Sequence, residues 1–184
     1  MKMAFYLIIA ILALFAYLQI TMTPKTEALP SFMVKDNIVE KKEKAAINII
    51  IRSPILPSKA SLNQLSSDYS NIWAHLNHLY ETNDVTIGKE FYTEEWFKFL
   101  SKRQRPLADR VLSRQDLRHN LIIQNWSNDN LICMATDSAV LLNYHVDDSL
   151  IKSEQITVAV VLLFQGDNWR LDALKVIENK IVKP

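Results

Sequence analysis

The stretch ITVAVVLLF at residues 156–164 constrains this chain more than any other. Uncharged and rich in Cβ-branched residues, it predicts a central strand buried on both faces. The QGDN that follows at 165–168 is a hairpin turn signal, and residues 169–177 are expected to pair back. Upstream, residues 121–126 and 131–144 flank the polar turn SNDN at 127–130. From Asn120 onward the chain therefore reads as an antiparallel meander of about four strands.

Helices come first. Leu62, Leu65, Tyr69, Ile72, Leu76 and Leu79 are spaced 3, 4, 3, 4 and 3 apart, one apolar stripe of a helix that starts near Ser61 and stops at the polar cluster 82–84. A second helix opens at Thr93, whose hydroxyl caps free amides, with Glu94 and Glu95 in the first turn where the helix dipole favours them. Trp96, Phe99 and Leu100 form its expected buried face. After Pro106 a shorter helix is expected, with Ser113 and Asp116 as its cap pair. Helices followed by strands mean an α+β fold, helices packed on one face of a curled antiparallel sheet. Residues 45–51, AAINIII, read as either a short helix or a strand.

Residues 3–22 contain no charge. A helix of that length rises about 30 Å, the thickness of a bilayer's hydrocarbon core. The expected organisation is a signal anchor or transmembrane helix over 1–22, a linker over 23–60 and an α+β domain over 61–184. A cleaved signal peptide is the alternative, but no small-x-small pair stands near Met22. Lys2 on one flank, against Lys25 and Lys35 on the other, places the domain outside the cytoplasm of a single-pass cell-membrane protein; Lys41, Lys42 and Lys44 pull the other way.

A net charge of +1 implies neither a basic nor an acidic partner for the chain as a whole. Cys133 is the one cysteine, which excludes an internal disulfide and a cysteine-based zinc site. Gly88 and Gly166 are the only glycines, so there is no glycine-rich phosphate loop. No cofactor or metal is expected.

The last strand, GDNWRLDALKVIEN at 166–179, and the stretch HLYETNDVTIGKEFYTEEWFKFL at 78–100 carry a resemblance. With the element order, they resemble the nuclear transport factor 2-like (cystatin-like cone) superfamily over roughly residues 60–180. The resemblance implies a cone-shaped fold that hosts isomerases, cyclases and dehydratases, and also non-catalytic modules. Some members are single-span membrane proteins of type IV secretion and conjugation machines, and this chain's layout is similar to theirs. No residue motif transfers with the likeness.

A catalytic cone needs an acid, a base or a tyrosine aimed into its cavity. The candidates are His119 and Asp137, followed by Tyr144, His145 and Asp172. If the first hairpin turns on Asn128 and Asp129, Asn120 faces Asp137, and His119 points to the opposite face unless a bulge or register shift intervenes. Asp172 is expected in a surface ion pair with Arg170. His75 and His78, near Glu81, have a spacing that suits metal ligands on a helix but equally an ordinary polar face. Arg103, Arg105, Arg110, Arg114 and Arg118 form a basic cluster, read as a contact surface for a partner or for anionic headgroups, or simply as a solvated face. No aromatic residue interleaves with it, so nucleic acid is not expected as a partner. Trp73, Trp96, Trp126 and Trp169 are expected in the core or lining the cavity. The functional expectation is a membrane-anchored, extracytoplasmic, non-catalytic domain that binds another protein, itself or a small ligand. The alternative is a membrane-tethered enzyme of the isomerase or cyclase kind.

Overall fold

Among the described residues, Ser58 and Asn83 set the ends of the longest helix. In the computed structural model, which describes residues 38–40, 42, 44–103, 112–147 and 149–183, helix α1 spans Lys59–Thr82. The Ser58 hydroxyl accepts the Ser61 N–H at 3.0 Å, and Asn83 ends the helix in the left-handed region at φ 57°. Leu65, Tyr69 and Ile72 of the apolar stripe are buried, joined by Asp68, Trp73, His75 and Asn77. The packed face is thus wider than the stripe and carries polar groups. A 3-10 turn at Gly88–Glu90 leads to helix α2, Glu94–Ser101, capped by Thr93 as expected. No residue of α2 is fully buried: Trp96 and Leu100 are half-buried and Phe99 is exposed.

The sheet has five strands in the order β1-β2-β3-β4-β5: Ala46–Ile51, Leu112–Trp126, Ile132–Val146, Ser149–Gln165 and Asn168–Lys183. The sequence-based fold class needs correcting on several counts. Ala46–Ile51, placed in the linker, is an edge strand parallel to β2, so the sheet is mixed rather than an antiparallel meander of four strands. The expected cap pair Ser113 and Asp116 lies inside strand β2. That strand was hidden because its inward side carries Asp116 and His119, which break the apolar alternation that marks a half-buried strand. Strand β4 is buried on one face only; Thr157, Ala159, Val161 and Leu163 on the other are half-exposed. The expected transmembrane helix is corrected as well: no helix among the described residues is long and apolar enough to cross a membrane. The fold is therefore that of a five-stranded sheet with its helices; residues 1–22 lie outside the described residues.

The chain divides into two units, Met1–Pro30 and Ser31–Pro184, and every described residue belongs to the second. Its core lies between α1 and the inner face of the sheet. Trp73, Trp126, Trp169, Tyr69, Tyr92 and Phe91 are its largest buried side chains, and the rings of Trp126 and Trp169 meet at 4.9 Å. Val39, within the helical residues 38–40, also joins this core, so the packed domain begins upstream of α1.

Strand β5 forms the far edge. Its first part is sealed by Thr93 N–H donating to the Leu171 carbonyl at 3.0 Å and by Leu171 N–H donating to that of Phe91 at 2.9 Å. Further along, the register against β4 skips Asp172, Ile177 and Val182, and Lys175 and Lys180 stand exposed. Bulges and lysines blunt an edge against pairing with another chain.

Candidate functional site: a clamped histidine beneath a donor-lined groove

Bulges decide what β2 and β3 bring together. The register between them shifts at Asp116/Arg118, Arg118/Asn120 and Ile123/Asn125, and Ala139 takes a positive φ of 59°. Inward-facing positions on β2 therefore fall at Asp116, His119, Leu121, Ile123 and Trp126, with spacings of three at the bulges. Asp137 pairs with Leu121, not Asn120, and so faces the same side as His119. The sequence-derived condition for a dyad, a bulge or a shifted register, is met.

Both candidate catalytic residues are completely buried. His119 Nδ1 donates to Asp137 Oδ2 at 2.6 Å, and its Nε2 donates to Asp116 Oδ2 at 2.9 Å. Burial alone would lower the imidazole's pKa. The hydrogen bonds to Asp116 and Asp137, together with their charges, outweigh it and raise the value to about 9. At neutral pH His119 is an imidazolium clamped by two carboxylates. Asp137 is itself saturated: Oδ2 also accepts the Tyr69 hydroxyl at 2.8 Å, and Oδ1 accepts the Asn120 N–H at 3.0 Å. Asp116 Oδ1 accepts a short hydrogen bond from Asn77, whose Oδ1 accepts Arg114 Nε–H at 2.8 Å. The rings of Trp73 and Tyr69 close over the imidazole at 4.9 and 5.7 Å.

This polar chain, running from Tyr69 to Arg114, was only partly legible. Tyr69 counted as a core residue and Asp116 as a helix cap, and Asn77 carried no signal. The one available clue was a carboxylate and a histidine three residues apart in a segment too polar for its surroundings.

Arg114 marks where the network reaches a groove of about 290 Å³ between α2 and the sheet. Its walls are Trp73, Leu76, Trp96, Phe99, Leu100, Arg103, Arg114, Ile156, Leu174 and Val176. The Trp96 and Phe99 rings stack at 4.8 Å, and the Arg103 guanidinium lies 4.2 Å over Phe99. The expected basic cluster is therefore not one surface. Arg114 points inward, Arg103 lines the groove and Arg118 is exposed on the sheet, while Arg105 and Arg110 lie outside the described residues.

The remaining candidates fall elsewhere. His75 stacks on Phe91 at 4.7 Å, with Nδ1 2.7 Å from the Tyr92 hydroxyl, and His78 meets Thr82. Among the described residues no group of three or more His, Cys, Asp or Glu is placed to hold a metal ion. Asp172 accepts the Thr93 hydroxyl at 2.8 Å rather than pairing with Arg170, whose Nε donates to Asn168; the bulge at Asp172 turns it toward the cap of α2. Tyr144, under the Lys152 ammonium at 4.3 Å, and the half-buried His145 stand on β3 toward its far end.

Compared with known proteins, the chain matches no family model, no curated protein and no solved structure. The site is read from its own chemistry.

Proposed function

We propose that this is a non-catalytic binding domain that holds a small apolar ligand in the groove between α2 and the sheet. The observation that carries the reading is the saturation of His119. A general base needs a free lone pair within reach of a substrate proton. His119 has both nitrogens bonded to carboxylates and no exposed surface. Its network fastens α1 to the sheet beneath the groove, giving a rigid floor of the kind a preformed binding site needs. The likeness to the nuclear transport factor 2-like superfamily, which includes non-catalytic modules, is part of the same proposal and rests on element order.

The tryptophans supply a test in the full chain. Trp73 and Trp96 line the groove, whereas the indole N–H of Trp126 is engaged by Asn130 at 2.8 Å. Titration with octan-1-ol should move the indole resonances of Trp73 and Trp96 in a ¹⁵N–¹H spectrum and leave that of Trp126 in place. Val176→Trp, which fills the groove from its lip, should abolish the shifts. Uniform shifts of all indoles, or none, would count against the groove.

A further inference from the structure

Among the described residues, every polar side chain on the groove wall is a hydrogen-bond donor. Trp73 and Trp96 contribute indole N–H groups, Arg103 and Arg114 contribute guanidinium groups, and the other six lining residues are aliphatic or phenyl. Among the described residues the wall holds no carboxylate, amide oxygen or hydroxyl. Arg103 is exposed over the Phe99 ring, whereas Nε1 of Trp96 is buried and, among the described residues, without an acceptor. The Trp73 indole approaches the Tyr69 hydroxyl without closing a hydrogen bond. Arg114 gives its Nε–H to Asn77, and among the described residues no carboxylate stands within ion-pair distance of its guanidinium. Buried donors without partners are rare because each carries its full desolvation cost. A buried indole donor without a partner, beside two guanidinium groups, describes a missing acceptor.

We propose that the ligand of this groove is a small lipophilic monoanion, an alkyl or aryl carboxylate. The proposal rests on the groove being the binding site and adds the chemical class. A carboxylate suits such a wall, since it accepts only and matches the planar guanidinium fork of Arg114. The apolar body packs against Phe99, Leu100, Leu174 and Val176. Asn77 is a positioning residue: by accepting Arg114 Nε–H it fixes the guanidinium at the groove wall. A volume of about 290 Å³ suits one short chain or ring system and not a two-chain lipid.

The test compares head groups on one tail in the full chain, with the indole resonances of Trp73 and Trp96 as readout. Octanoate should bind at least about tenfold more tightly than octan-1-ol, and octylammonium more weakly than either. Arg114→Gln should bring octanoate down to about the affinity of octan-1-ol. Equal affinity of octanoate and octan-1-ol would overturn the chemical class while leaving the groove as a binding site. Failure of all three to move the two indoles would overturn both. Should Arg114→Gln not fold, the head-group comparison on the unmodified chain decides alone, and octanoate binding that does not weaken with added salt also counts against the proposal.

Discussion

His119 and His75 sit in two regions of the same core, both fully buried, and hold opposite charge states. His119, on the sheet, lies between two carboxylates at hydrogen-bond distance and is held as an imidazolium up to about pH 9. His75, on α1, lies against the Phe91 ring and the Tyr92 hydroxyl. Burial first, and then the neighbouring His78, push its pKa down to about 4, while Asp84 raises it only in part. Among the described residues its Nε2 finds no partner. Burial alone favours a neutral imidazole in both places. What separates them is whether a carboxylate touches the ring, which sequence spacing does not reveal.

The comparison breaks most sharply at Asp137. Asp137→Ala should destabilise the domain by about 3–5 kcal/mol in urea unfolding, because it leaves a buried imidazolium with half its counter-charge and frees the Tyr69 hydroxyl and Asn120 N–H. A loss below about 1 kcal/mol would mean that the clamp does not form.

The two histidines should also limit stability from opposite ends of the pH scale. His119 binds its proton more tightly folded than unfolded, so its contribution is complete below about pH 6.5 and falls as pH rises through about 9, by about 3 kcal/mol in all. His75 resists protonation when folded, so its effect is the reverse: stability falls as pH drops from about 6.5 toward 4, by a similar amount. His119→Gln should flatten the slope between about pH 6.5 and 9, and His75→Phe should reduce the acid one, part of which belongs to His78. Unfolding midpoints measured from about pH 4 to 9 check both, and a slope unchanged by its own substitution would reassign it.

The smallest effect sharpens the same contrast. The charge of His78 is one of the causes holding the His75 value down, and burial lowers the pKa of His78 itself, so His78→Gln should make the acid slope smaller and leave the alkaline slope where it is. An unchanged acid limb would leave burial as the sole cause at His75.

Local signals in the chain carried the hairpin turns at 127–130 and 165–168, the apolar stripe of α1, its stop at Asn83 and the Thr93 cap of α2, because each depends on neighbours within a few residues. The tertiary structure alone decided the rest. Ala46–Ile51 is a strand because β2 offers it an edge, and residues 112–120 are strand because α1 and β3 give Asp116 and His119 their partners. Strict two-residue alternation would place His119 and Asp137 on opposite faces. Bulges in the paired strands cancel that alternation, and a bulge shows itself only when two distant segments are aligned. The groove follows the same logic. Its tryptophans and arginines come from α1, α2, the residues just after it and β2, and that they meet in one groove is a property of their assembly, not of any one segment.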